Sequence, residues 1–306
     1  MGSKFNPISL LRNRNFILVL ALVLGLLLGD GSQWTEELVL PVLAFVMMLS
    51  TTSISGALFT SPRVLLVPVI VGITLNYGVL GGVMLVLSRL NILEESFRTG
   101  YVILAAVPPA VGIIPFTGFM EGDMDFSLVG SIAGYLGAFI FTPLILFSFL
   151  GLTSGFQFKL LITMVELIII PLILSRVLVY FSVASKITSL RGPLINWSFF
   201  LVIYTVVGLN RGVFLNQPST IVPLVIIAVT TTFLLGLLIE KVCQYLHVVP
   251  ERVVSMVLIG TSKNAGFAAG LALTLFSKET AIASTVQTIF MLAYVIFLDL
   301  RKRLGS

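Results

Sequence analysis

The sequence predicts an all-α membrane protein with ten transmembrane helices in two inverted five-helix repeats. Three observations carry that expectation. The chain has too few charges for a water-soluble globule, it contains ten apolar runs of membrane-crossing length, and an offset of 155 residues pairs features of its two halves. Of 306 residues, 58% are hydrophobic and only 10% charged, against about 25% charged in soluble domains. So few charges cannot cover a globule of this size in water.

Crossing about 30 Å of hydrocarbon takes about twenty residues of helix. Ten runs qualify: 15–30, 37–58, 64–88, 98–121, 126–151, 158–183, 194–210, 219–245, 250–276 and 281–300. The linkers between them hold only a few residues, so no soluble domain fits between spans. With ten spans both termini share a side. That side carries Lys4, Arg12, Arg14, Arg63, Lys186, Arg191, Lys241, Arg252, Arg301, Lys302 and Arg303, eleven basic residues, against five on the other (Arg89, Arg98, Lys159, Arg211, Lys278). The positive-inside rule then puts both termini in the cytoplasm. Two basic residues fall within spans: Arg176, near enough to a helix end to snorkel, and Lys263.

The composition also excludes several functions. One His (His247) and one Cys (Cys243) cannot build a metal cluster or a disulfide framework. Cys243 reads as a small apolar core residue. The net charge of +5 is scattered over helix ends without a basic stripe, so no nucleic-acid partner is expected. The basic start lacks a small-residue cleavage site and is not read as a signal peptide. Met1-Gly2-Ser3 and Gly305-Ser306 read as cloning remnants and are set aside. No nucleotide-binding motif appears, and no cofactor or bound metal is expected.

The halves divide at the 152–157 linker, giving repeats over 12–151 and 158–303. Five spans per repeat, an odd number, make the halves inverted. Pro68, Asn76 and Gly81 in span three recur as Pro223, Thr231 and Gly236 in span eight, each 155 residues on. The same offset sets Pro108 against Lys263 and Pro109 against Asn264. Both spans are interrupted there. Span four has Pro108-Pro109, Gly112 and Pro115, and each Pro removes a donor and clashes with the preceding turn. Span nine has the polar island Gly260-Thr261-Ser262-Lys263-Asn264-Ala265-Gly266, rich in residues that tolerate an unwound turn. Paired broken helices point to a transport site, because unwound backbone survives at membrane depth only inside protein or beside a water-filled cavity.

These residues resemble the bile acid:sodium symporter family, in the wider group of bile acid, arsenite, riboflavin and auxin carriers. The Pro-rich break, then Glu121-Gly122-Asp123-Met124-Asp125-Phe126-Ser127, then a helix ending Thr142-Pro143-Leu144, is similar to that family's fourth and fifth spans. Lys263-Asn264-Ala265-Gly266 looks like its Gln-Asn-Ser-Gly in span nine. The resemblance implies crossed discontinuous helices four and nine. It also implies a panel domain of spans 1, 2, 6 and 7 and a core domain of spans 3–5 and 8–10. In sodium-coupled members the crossing holds two Na⁺ ions. This chain departs from the family at that point. The family's Ser-Asn falls on Ile113-Ile114, its span-nine Gln falls on Lys263, and its upstream acid falls near Ile259-Gly260, where none is present. Asn76 and Ser131 match a Gln and a hydroxyl position. The chain is thus read as a divergent member lacking the oxygen shell of a hard cation, with an ammonium in the cation's place.

A charge at mid-bilayer is costly unless paired or solvated, and half-helix N-termini at a break add positive potential. Two outcomes are open for Lys263. It stays charged, held by carbonyls at half-helix ends and by Asn76, Ser131 and Gln287, or it sheds its proton during transport under desolvation. The candidate substrate or coupling site comprises Lys263, Asn264, Ser262, Thr261, Pro108, Pro109, Thr117, Asn76, Ser131, Thr231, Gln287 and Glu166. Glu166, the one carboxylate well inside a span, is read as facing the cavity between the two domains, there to pair with Lys263, bind a cation or carry a proton, or as bonding within the panel. Asp123, Asp125 and Glu121 are read as a solvated loop that caps span five.

The resulting expectation is a sodium-independent secondary transporter of a small organic anion working by alternating access. A cation/proton exchanger is the alternative within transport, and a transporter-like receptor or regulator is the alternative outside it. An intramembrane enzyme would need a nucleophile with a base or paired carboxylates, and the sequence offers neither. The expected partners are the lipid bilayer and the solute, with homodimerisation left open.

Overall fold

The computed structural model describes residues 11, 13–52, 62–90, 93–151, 158, 162–163, 165–216 and 218–305. The 152–157 linker, Lys4, Arg12 and Lys159 lie outside them. We number the main helices α1 (Arg14–Leu27), α2 (Val39–Thr51), α3 (62–88), α4 (Glu95–Ala106), α5 (Ile113–Phe119), α6 (Met124–Leu150), α7 (165–180), α8 (Thr188–Leu209), α9 (218–245), α10 (Pro250–Thr261), α11 (Ala265–Leu275) and α12 (Ile282–Gly305). Among the described residues there are no strands. Six helical stretches are long and apolar enough to cross a bilayer: Gly29–Thr51, Leu65–Ser88, Met124–Leu150, Thr188–Leu209, Ser219–Tyr245 and Ile282–Lys302. The sixth expected span lies partly outside the described residues, and the remaining three are short or broken. Phe16–Leu27 is a short apolar helix. The fourth span is divided into α4 and α5, and the ninth into α10 and α11.

The 155-residue offset reaches the helix boundaries. Glu95 and Ala106 plus 155 give 250 and 261, the ends of α10. Helix α6 shifted alike covers 279–305, against Ile282–Gly305 for α12. Helices α3 and α9 each contain a π turn, Thr74–Gly81 and Thr230–Leu234. Such single-turn bulges insert a residue and re-aim its neighbours. Those turns hold Asn76 and Thr231.

The chain forms two compact units, one within Met1–Ser53 and Met164–Pro218, the other within Ile54–Thr163 and Ser219–Ser306. In the first, Gly25 and Gly29, one turn apart, bring α1 and the turn after it against α8. A Cβ on Gly25 would lie 2.9 Å from Val207 Cβ, and one on Gly29 would lie 2.8 Å from Gly208 Cα. Small residues permit this approach where apolar transfer gives no drive between helices in lipid. The Arg176 guanidinium donates to the Thr51 carbonyl and to Ser175 Oγ at 3.1 Å.

In the second unit α6 is capped as expected, Asp123 Oδ1 accepting from Phe126 N at 3.0 Å. It closes on Gly151 in the left-handed region (φ 58°). Ion pairs join helix ends: Arg252 with Asp123, Arg301 with Glu240, Lys302 with Glu121. Cys243 is buried. Outward positions are apolar, among them Leu66, Ile70, Ile140, Leu144 and Leu238, as a lipid-facing surface requires.

Helices α3 and α6 touch backbone to backbone. A Cβ on Gly72 would meet Gly130 Cα at 2.7 Å and Gly130 O at 2.9 Å, whereas one on Gly82 meets nothing within 4 Å. Gly72→Ala is therefore expected to destabilise by about 1–3 kcal/mol through overpacking, while Gly82→Ala leaves stability equal or slightly higher. Thermal unfolding in detergent separates them, and equal midpoints would contradict this packing.

Candidate functional site at the crossing of two broken helices

Helix α4 stops at Ala106 because Pro108 and Pro109 follow. A residue before Pro is driven out of the helical region, and Val107 is extended (φ −74°, ψ 158°). Helix α10 stops at Thr261, and Ser262 is extended (φ −124°, ψ 105°). The two extended stretches run antiparallel and exchange a pair of backbone hydrogen bonds. Asn264 N donates to Pro108 O at 2.9 Å, and Ala110 N donates to Ser262 O at 3.0 Å, pairing Pro109 with Lys263. The chain then re-enters helix on both sides. Asn264 caps α11, its Oδ1 accepting from Phe267 N at 3.1 Å. Crossed discontinuous helices are thus present within the second unit.

The crossing leaves carbonyls short of donors. Ala105 O would ordinarily accept from the amide four residues on, but that residue is Pro109, which has none. Ala110 N, the ordinary partner of Ala106 O, is turned to Ser262 instead. Other groups take over. Thr142 Oγ1 donates to Ala106 O at 2.8 Å. Lys263 Nζ donates to Ala105 O at 2.8 Å, to Val107 O at 2.9 Å and to Asn76 Oδ1 at 2.8 Å. The amide of Asn76 faces the other way with its nitrogen, Nδ2 donating to Ile259 O at 3.2 Å and Ser262 O at 3.4 Å at the end of α10. One side chain on the π turn of α3 thereby serves both broken helices.

The Lys263 side chain is fully buried. Its three acceptors are carbonyl and amide oxygens, which have no proton to give. A neutral amine would turn its lone pair on one of them; an ammonium has three donors and fits all three. Tyr77, next to Asn76, lies with its ring centroid 4.3 Å from Nζ, within the range of a cation–π contact. That ring is held by its hydroxyl, which donates to Gly134 O at 2.8 Å, and by stacking on Phe141 at 4.6 Å. The ammonium meets the C-terminal end of α4, the negative end of its dipole. Carbonyls at a half-helix end were one of the two expected surroundings for Lys263, and Ala105 O and Val107 O supply them. With all three N–H bonds engaged, Lys263 has no donor left for a solute.

The other candidates are distributed as follows. Pro108, Pro109, Ser262, Asn264, Asn76 and Lys263 come together at the crossing. Thr261 bonds back to Val257 O at 2.7 Å. Thr117 pairs with Ser127 at 2.8 Å, joining α5 to α6. Thr231 approaches Gln287 Oε1 at 3.3 Å. Ser131 Oγ and Gln287 Nε2 are buried without a hydrogen-bond partner. Neither holds Lys263, whose donors are already taken. Ile113 is buried and offers no side-chain oxygen. Glu166 is in the other unit, exposed on the π turn Val165–Ile169. Sequence reasoning missed Tyr77, and it expected carbonyls at half-helix ends without naming those of Ala105 and Val107. Pro109 held the one available clue to Ala105. No group of His, Cys, Asp and Glu among the described residues could hold a metal ion.

A family model matches residues 47–298, described as the SBF-like CPA transporter family. The chain belongs to that family. The SBF-like CPA transporter family lies within the bile acid:sodium symporter-like superfamily, so the resemblance carried by the Pro-rich break and by Lys263-Asn264-Ala265-Gly266 holds at that level. The chain is thus a multi-pass integral membrane protein of a transporter family. No curated protein matches its sequence. In this SBF-like chain the crossing has Lys263 at its centre, donating to three oxygens.

Lys263→Met removes three donors at once and orphans Ala105 O, Val107 O and Asn76 Oδ1, at about 1–3 kcal/mol per buried acceptor. Thr142→Val orphans Ala106 O alone. The unfolding midpoint of purified protein should fall much further for Lys263→Met. Equal losses would mean that the ammonium does not hold the crossing together.

Proposed function

We propose that this chain is a sodium-independent secondary transporter of a small organic anion, in which the Lys263 ammonium replaces a bound coupling cation. The observation that carries this reading is the trio of oxygens around Nζ, at 2.8, 2.8 and 2.9 Å. A monovalent cation at that point would meet the same carbonyl and amide oxygens. Here the positive charge is covalently tethered and cannot leave, so no ion gradient is drawn on at this position. The fixed charge also favours an anion as the travelling solute, since opposite charges attract strongly where the dielectric is low.

The repeat supports alternating access. In our reading the halves are inverted, so α4 and α10 enter from opposite faces, with both termini cytoplasmic. Helices α4 and α10 hold 12 residues each, about 18 Å at about 1.5 Å per residue. Entering from opposite faces, each covers about half of a core about 30 Å thick, which supports a crossing near the midplane. The two compact units then serve as panel and core. Glu166, exposed on its π turn, is the acidic group we assign to solute preference or proton coupling.

Sodium dependence tests the reading. Uptake of labelled organic anions into proteoliposomes should proceed equally in NaCl and in choline chloride, and thermal stability should match in the two salts. A saturable stabilisation specific to Na⁺ would overturn the assignment.

Substitution of the lysine tests its role. Lys263→Ala and Lys263→Gln should both lose turnover, and neither should gain sodium dependence, because Ile113 and Ile114 still withhold oxygens. Lys263→Ala transporting at the wild-type rate across the pH range would reduce the lysine to a packing residue.

A further inference from the structure

Among the buried described residues Lys263 is the single charged one. The other buried polar groups are hydroxyls and amides, such as Asn76, Thr117, Thr231 and Gln287. The acids with ionic partners in the second unit, Glu121, Asp123 and Glu240, pair at helix ends with Lys302, Arg252 and Arg301. None of them neutralises the crossing. The acceptors that hold the ammonium are dipoles. The end of α4 carries a partial negative charge, but a helix dipole sums to zero net charge along its length. Hydrogen bonding therefore stabilises the ammonium without cancelling its unit charge.

We propose that Lys263 is a built-in gating charge, so that membrane potential sets the orientation of the empty carrier and a monovalent anion is the solute that neutralises it for passage. The proposal rests on the reading of the chain as a sodium-independent alternating-access carrier. Near the midplane the ammonium changes its position in the transmembrane field whether the second unit slides or aqueous access switches from one face to the other. A full elementary charge moved through 100 mV alters the ratio of two states by about 50-fold, and through half that field by about 7-fold. With a monovalent anion bound, the moving unit is neutral and its passage is insensitive to voltage. The empty return carries the lysine's charge and is driven by the potential. At this site each cycle then moves the charge of the solute and no coupling cation. A divalent anion would leave the loaded state net negative and move the voltage dependence to the loaded step.

The displacement current is read without a solute. The wild-type carrier is subjected to voltage jumps in choline methanesulfonate, without sodium. The expected result is a transient displacement current, equal and opposite at the on and off steps and saturating with voltage, and lost in Lys263→Gln that inserts and unfolds cooperatively. If Lys263→Gln does not insert, the pair Pro109→Ala with Lys263→Gln, which returns an amide donor to Ala105 O, takes its place. Absence of a displacement current in the wild type, with transport still independent of sodium, overturns the gating charge alone. So does a current of equal size in the lysine variant. A current that appears only when Na⁺ is added overturns the sodium-independent reading beneath it.

Discussion

The second unit depends on one interaction: a buried ammonium bound to the carbonyl end of a helix that two prolines have cut short. The prolines create the demand. By removing an amide they leave Ala105 O without its ordinary partner, deep in a region where no water is assured. Lys263 arrives from the opposite broken helix and answers it, while also engaging Val107 O and Asn76 Oδ1. The lysine is held at all only because those oxygens are there, since a bare ammonium in hydrocarbon would not stay charged. Each partner is tolerable in the membrane because of the other.

This dependence explains the surrounding architecture. The π turn of α3 presents Asn76 and Tyr77 to the same point, one as a hydrogen-bond acceptor and the other as a ring face. Gly81 keeps α3 close to α4, since a Cβ there would sit 3.1 Å from Ala105 O. Gly72 and Gly130 bring α3 against α6, and Gly134, whose Cβ would be 2.5 Å from the Pro109 ring, lets the proline pair seat against α6. The small residues are spaced where the crossing needs room rather than where helices need flexibility.

Much of this is legible in the sequence. Lack of charge and apolar run lengths predicted a helical membrane protein, the two interrupted spans pointed to Lys263, and the recurrence of span three in span eight pointed to Asn76. The Asp123 cap was readable from residue type and position. The rest was hidden for definite reasons. The oxygens that hold the ammonium belong to the backbone, which every residue shares, so nothing in Ala105 or Val107 marks them. Tyr77 sits in an apolar run where an aromatic ring ordinarily means packing. Ser131 and Gln287 have suitable chemistry for holding a cation, but which polar groups reach Nζ is decided by helix rotation, and the π turn that aims Asn76 has no sequence signature. Two surroundings for Lys263 stayed open in the sequence because residue order shows where a helix breaks without showing which of its broken ends approaches the charge.

The proline pair and the lysine also constrain how such a site can change over time. A chain that exchanged the lysine first would expose carbonyls with no donor. A chain that first restored an amide at residue 109 would supply a donor where the ammonium already sits, crowding it. Each single step passes through a less stable intermediate, whereas the two changes together need not. The crossing is therefore an epistatic pair: the lysine is entrenched by the helix break beside it, and changing either without loss of stability requires coordinated substitutions on two helices far apart in the chain.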